Sequence, residues 1–215
     1  REQYNRLDNG SLDSREFTFN RYNHRFGKAG LKDYALFYNL GYDLDDGLNL
    51  YSFGSYSKRE GNSAGFYRRA KDSRNVKSLY PNGFLPQIET DVVDYSLALG
   101  LEGESDDWTW DISSNYGRND FALGVVNSLN TSLGANSQTE FDNGALIYDQ
   151  WIVNADANTG LDLGLPDDVF FTIGAEYRRE SYKIEQGEEA SYITAVDANG
   201  NPLAAGGAQV LSGFG

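Results

Sequence analysis

The pattern that most restricts this chain is an alternation of apolar and polar side chains with a period of two, sustained over stretches of about ten residues and repeated along the sequence. Side chains of a strand point to opposite faces in turn, so such a stretch is a strand with one apolar and one wet side. In the clearest case Val93, Tyr95, Leu97, Leu99 and Leu101 share one face, and Asp94, Ser96, Ala98, Gly100 and Glu102 the other. After Ser105-Asp106-Asp107 the pattern returns, with Trp108, Trp110, Ile112, Ser114 and Tyr116 opposite Thr109, Asp111, Ser113, Asn115 and Gly117. The two form a hairpin over 91–118.

A second hairpin is predicted over 33–58. Tyr34, Leu36, Tyr38, Leu40, Tyr42 and Leu44 alternate with Ala35, Phe37, Asn39, Gly41 and Asp43, and Asp45-Asp46-Gly47 makes the turn. Its return is less regular, because Tyr51 and Phe53 fall on the same face as Asn49 and Ser55. A third hairpin is predicted over 147–180, where Trp151, Val153, Ala155, Ala157 and Leu161 lead to a turn at Pro166-Asp167-Asp168. Val169, Phe171, Ile173, Ala175 and Tyr177 return from it.

The Asp-Asp pairs recur 61 residues apart (106 − 45 and 167 − 106), as in a repeated hairpin unit. The connections are asymmetric. Asp-Asp turns on one side are expected to be short, whereas 59–90, 119–146 and 181–215 are long loops on the other. Residues 1–32 read as a polar lead-in with a short alternating piece near Phe17 and Phe19. Tight turns on one side and long loops on the other are the plan of an outer-membrane barrel.

Alternating strands also build soluble β-sandwiches, whose apolar faces bury against a second sheet. Two features favour the membrane over a soluble all-β carbohydrate- or ligand-binding module. Aromatic residues gather at strand ends (Trp108, Trp110, Tyr116, Trp151, Phe170, Phe171, Tyr177), as interfacial girdles require, and the loop asymmetry is systematic. Composition agrees: aromatics reach 14% with 24 glycines, yet the mean hydropathy is −0.56, as expected when only one strand face meets lipid. No run is long and apolar enough for a transmembrane helix. Without methionine or a signal peptide, the sequence reads as a piece of something longer.

The net charge of −14 argues against nucleic acid as a partner. The absence of cysteine removes disulfides, thiolate metal sites and cysteine nucleophiles. The single histidine, His24, lies in a polar segment beside Arg25 and reads as a surface residue. Adjacent carboxylates such as Glu188-Glu189 are expected of solvated turns in an acidic chain and do not specify a glycosidase. Asp45-Asp46-Gly47 and Asp197-Ala198-Asn199-Gly200-Asn201 carry oxygen ligands, but neither completes a calcium loop. No enzymatic activity, cofactor or metal is therefore expected.

Four segments carry a family resemblance: Leu50-Tyr51-Ser52-Phe53-Gly54-Ser55-Tyr56-Ser57-Lys58-Arg59, Ser63-Ala64-Gly65-Phe66-Tyr67-Arg68, Tyr80-Pro81-Asn82-Gly83-Phe84-Leu85-Pro86-Gln87-Ile88, and Phe171-Thr172-Ile173-Gly174-Ala175-Glu176-Tyr177-Arg178-Arg179-Glu180. With them the chain, from about Asp33 to Gly215, resembles the mid-barrel region of TonB-dependent outer-membrane receptors. The resemblance implies a bacterial outer-membrane location and active uptake of a scarce, bulky nutrient such as an iron-siderophore, cobalamin or a glycan. It also implies contact with outer-membrane lipid, and coupling to TonB through a plug domain that this sequence lacks. Six or seven strands are too few to enclose a plug, which belongs to barrels of about 22 strands.

The fold class expected is thus all-β, an antiparallel transmembrane barrel segment of up-and-down hairpins. On it, Asp94, Glu102, Asp111, Asp156 and Glu176 are expected to line the lumen. A positive loop follows the first hairpin, where Lys58, Arg59, Arg68, Arg69, Lys71, Arg74 and Lys77 meet only Glu60 and Asp72. Arg59, Arg68, Arg69 and Arg74, with Phe66, Tyr67 and Tyr80 as apolar contacts, are the candidate external ligand-binding residues.

Overall fold

The computed structural model describes Tyr4, residues 6–7, 9–25, 27, 29–45 and 47–215. Its body is one antiparallel sheet of six strands: β1 (Gly30–Asp45), β2 (Leu48–Ala64), β5 (Gln87–Ser105), β6 (Trp108–Val126), β7 (Phe141–Leu161) and β8 (Val169–Gln186). They lie side by side in sequence order, each hydrogen-bonded to the next, which is the up-and-down arrangement. Two short strands, β3 (Arg68–Arg69) and β4 (Gly83–Phe84), form a separate ribbon in the loop between β2 and β5. The sheet does not close on itself, and β1 and β8 are its two edges.

Two of the turns are as tight as the sequence implies. Gly47 (φ 79°) and Asp106 (φ 53°) supply the positive φ that a two-residue hairpin loop requires, and Asp tolerates it better than most residues. Asp46, in the first of these turns, lies outside the described residues. The third connection corrects the expectation: β7 ends at Leu161 and β8 begins at Val169, so the link runs through Asp162 and Gly164 as well as Pro166-Asp167-Asp168. Phe17 is also no part of an alternating strand. It ends a 3-10 helix, Ser14–Phe17, capped by the Asp13 side chain, which accepts from the Arg15 amide.

Register carries the alternation across all six strands. Phe53, Ala98, Asn115, Ile152 and Arg178 are successive cross-strand partners on the polar face; Leu40, Ser52, Leu99, Ser114, Val153 and Tyr177 are partners on the apolar one. Large apolar side chains of the second face stand exposed, with Leu36 at 70% and Ile173 at 58%. Aromatic rings pair along this face, Trp108 with Phe171 at 6.2 Å, Tyr95 with Tyr116 at 6.1 Å and Trp151 with Tyr177 at 6.0 Å. The Trp151 indole N–H donates to Ser114 Oγ at 2.8 Å.

The irregular half of the hairpin predicted over 33–58 has a packing cause. Tyr51 lies on the polar face over Gly100, where a Cβ would fall 2.1 Å from its Cζ, and its hydroxyl donates to Asp111 Oδ2 at 2.8 Å. Phe53 stacks beside it at 6.4 Å, and Ala98 below is only 2% exposed. The aromatic residues that break the alternation thus fill space left by small neighbours.

The strands run further than the hydrophobic pattern does. β2 continues to Ala64, β6 to Val126 and β8 to Gln186, and β5 and β7 begin at Gln87 and Phe141. Beyond the apolar band, the same face carries charges that pair across strands, Lys58 with Asp91 (3.0 Å), and along them, Lys58 with Glu60 (3.2 Å), Arg118 with Asp120 (2.9 Å) and Lys183 with Glu185 (2.6 Å). The backbone ladder persists there, so the loops are the shorter stretches 65–86, 127–140 and 187–215.

These loops gather at one end of the sheet into a crown. Val125, Phe141 and Ala208 form its buried apolar cluster, with Ala190, Val210 and Leu211 packed against it. Much of the remaining interior is polar. Asn130 is fully buried; its Oδ1 accepts from the Ser132 N–H and Oγ, and its Nδ2 donates to the Ala190 and Ile193 carbonyls. Ser128 Oγ donates to the Gln209 carbonyl. The stretch read as terminal loop also holds the short helix α1 (Glu189–Tyr192).

Candidate functional site

The five acidic residues singled out for the lumen lie on one face, because all fall in phase with Ala98 and Ser113. Glu102, Asp111 and Asp156 are direct partners in one row across β5, β6 and β7, with Glu176 opposite Asn154 one step away. Glu102, Asp111 and Asp156 border a depression of about 320 Å³ with Asn49, Glu104, Thr109 and Asn158; Glu176 lies outside it. Asp94 stands apart, toward the crown, where its Oδ1 accepts from Asn119 Nδ2 at 2.7 Å. The row is an acidic, largely exposed surface crossing the sheet near the tight turns. Sequence reading did not foresee that the Tyr51 hydroxyl would anchor on Asp111, although the broken alternation at Tyr51 was the visible signal.

Closer to the crown, the same face changes character. Val92, Phe121, Leu146 and Ile184 are successive partners, and Tyr148 pairs with Tyr182 in the next row toward the turns. Tyr148 donates to Glu180 Oε1 at 3.0 Å, and Arg178 pairs with Glu176 at 3.0 Å.

The structure disperses the positive loop. Lys58 and Arg59 belong to β2 and point to opposite faces; Arg59 pairs with Asp33 at 2.6 Å. Arg74 pairs with Asp72 at 2.8 Å, and the Arg74 guanidinium holds the Asp72 carboxyl below its usual range. Arg68 is buried at 8% exposure. Its Nη1 donates to the Phe66 carbonyl, its Nε has no hydrogen-bond partner, and burial draws its pKa below the ordinary arginine value. Lys71 Nζ donates to the Arg6 carbonyl at 3.3 Å. Arg69 and Lys77 have no ion pair among the described residues.

The three aromatic candidates divide similarly. Phe66 is 69% exposed. Tyr67 donates to the Asn82 carbonyl at 2.7 Å and packs against Phe19 and His24, and burial pushes its hydroxyl up to about 12. Tyr80 stacks on Phe84 at 4.6 Å and donates to the Ser128 carbonyl at 3.0 Å, so it joins two loops. The segment before β1 packs onto this loop as well. Tyr4 is buried with its hydroxyl on Asn82 Oδ1, the Arg15 guanidinium lies 4.1 Å from the Tyr4 ring centroid, and Arg15 Nη1 donates to the Pro81 carbonyl.

A larger cavity of about 920 Å³ opens beside the crown. Its lining includes Arg25, Lys32, Glu60, Glu89, Asp91, Glu140 and Asp142 but none of the candidate ligand-binding residues. No group of three or more metal-ligating side chains occurs among the described residues. Comparison of the chain with family models, with curated proteins and with solved structures gave no match.

Proposed function

We propose that this chain is a stretch of the wall of a bacterial outer-membrane β-barrel, a receptor for active uptake of a scarce, bulky nutrient. In this reading the apolar face meets lipid, the polar face lines the passage and the crown lies outside the cell. One observation carries it: a face of exposed Leu, Ile, Phe, Tyr and Trp, interspersed with small residues such as Ser52 and Ser114, spans six hydrogen-bonded strands, with no element among the described residues laid over it. A soluble sheet would bury that face against a second layer. The apolar run from Trp108 to Tyr116 is roughly 27 Å long at ~3.4 Å per residue. Tilted by about 40° it spans about 20 Å, and the flanking aromatic rings bring it near the ~25 Å band of such barrels.

Further strands of the parent protein would pair with the edges β1 and β8, since unpaired backbone does not persist in lipid. The nutrient-receptor part rests on the resemblance to TonB-dependent receptors, together with a passage-facing surface of carboxylates, Ser, Asn and Tyr. Of the external ligand-binding candidates, Phe66 is exposed and Arg69 has no ion pair among the described residues, which suits contact with a ligand.

The tryptophans offer a direct test, because Trp108, Trp110 and Trp151 all lie on the apolar face. In the full-length protein reconstituted into vesicles, brominated acyl chains should quench their fluorescence. A full-length protein that is monodisperse without detergent, with tryptophans indifferent to brominated lipid, would overturn the reading. Growth of a deletion strain on ferric siderophores, cobalamin or glycans as sole sources then tests the transport role.

A further inference from the structure

The segment after α1 turns back and runs across the tops of β2, β5, β6 and β7. The Phe214 amide donates to the Asn143 carbonyl, and the Gln209 amide to that of Leu129. The Val210 side chain lies against Gly65. Its contacts with Gly65, Val125 and Phe141 are on the polar side, since these residues continue the phase of that face. We propose that residues 207–214 form a strap that closes over the crown end of the polar face and swings away from it, uncovering Val125 and Phe141.

Three features make the strap releasable. Val210 holds φ at 86°, a left-handed conformation that a β-branched residue adopts only where its surroundings impose it. What imposes it is the slot over Gly65, where a Cβ would fall 2.5 Å from Val210 Cγ2. The closed position thus stores strain that is relieved when Val210 leaves. The strap's apolar anchors are few, chiefly Ala208, Val210 and Leu211, and from Val210 to Phe214 its ties are hydrogen bonds at a partly exposed surface, where water can replace them. It is also flanked by glycines: Gly206 precedes it, Gly207 (φ 78°) opens it, and Gly213 lies near its end, where the backbone turns with least resistance. If the polar face lines the passage, as proposed above, an open strap widens its outer mouth; the motion itself does not depend on that reading.

The chain contains no cysteine, so thiols introduced into it report cleanly. In the full-length protein carrying Val125→Cys, maleimide modification of the new thiol, read by peptide mass spectrometry, measures strap opening. Gly65→Cys with Val210→Cys supplies a tether, because a Cβ at Gly65 lies 3.3 Å from that of Val210, near the spacing of a disulfide. In purified protein the tether should form on mild oxidation. Modification at position 125 should then be at least ten-fold slower in the oxidised than in the reduced form of the same variant. Gly65→Ala, which fills the slot, should speed it several-fold over Val125→Cys alone. Failure of the tether to form, or equal rates in the two redox states, overturns the strap. Comparing one sequence in two redox states keeps a folding defect from imitating the result. With an impermeant maleimide on whole cells, modification that fails there but succeeds in purified protein overturns the outward orientation of the crown and leaves the strap standing.

Discussion

The sheet and the crown obey opposite rules. In the sheet the large apolar residues face outward, whereas the closely packed side chains are small or polar: Ala98, Gly100 and Ser113 under Tyr51 and Phe53. In the crown the apolar cluster is inside, and fully buried Ser128 and Asn130 are satisfied by carbonyls of the loop backbone. The sheet thus presents an apolar face that no other described element covers. The crown is ordinary water-adapted protein, held by hydrogen bonds that cost most when one partner is lost.

The strongest test of this contrast is a charge on each face of the sheet. Leu97→Arg, Leu99→Arg or Ile173→Arg should each cost about 2–4 kcal/mol in a bilayer-folding titration of the full-length protein, if these residues lie near the midplane. Ser96→Arg and Thr172→Arg, on exposed polar-face positions, should be mild. Equal tolerance on both faces would dissolve the distinction between them.

Next in size is the crown's polar interior. Asn130→Ala strands the Ala190 and Ile193 carbonyls and the Ser132 amide, so it should cost roughly 2–3 kcal/mol. Hydrogen exchange should accelerate in 127–140 and 189–194 while the β5–β6 ladder keeps its protection. Loss of protection in both would mean that crown and sheet unfold together.

A smaller penalty sharpens the sheet's own packing. Gly100→Ala drives a methyl into the Tyr51 ring and should cost about 1–3 kcal/mol by overpacking. Combined with Tyr51→Ala the penalty should shrink, and a double-mutant cycle measures by how much. Additive effects would show that Tyr51 does not rest on Gly100.

The smallest effect concerns acid. Arg15 holds the Asp13 carboxyl at about 2, below its unfolded value of about 3.9. The stability this pair adds is therefore present above about pH 4 and is lost as pH falls toward 2. Amide exchange around Tyr4 and Arg15 should rise across that window and not at neutral pH. Asp13→Asn should abolish the pH dependence, and a persistent transition in that variant would assign it to another carboxylate.

Much of the sheet was legible because alternation is a local property. Tyr95, Leu97 and Leu99 share a face whatever their neighbours are, and Gly47 and Asp106 mark their turns through their own backbone preferences. The same logic put Asp94, Glu102, Asp111, Asp156 and Glu176 on one side. The ligand-binding candidates were far less legible. A run of Arg and Lys looks alike in sequence whether each cation is free, paired as Arg74 is with Asp72, or buried as Arg68 is.

The sequence by itself therefore determined the strands, their faces and two of the three turns, since these depend on residues two apart or on a single φ angle. Only the tertiary structure decided how far the ladders run beyond the apolar band, where ion pairs replace hydrophobic contrast. It alone decided that Tyr51 would settle over Gly100. It also brought Ser128 to Gln209, 81 residues away, and laid Val210 across Gly65. Such contacts depend on which distant segments meet, and no short-range pattern encodes them.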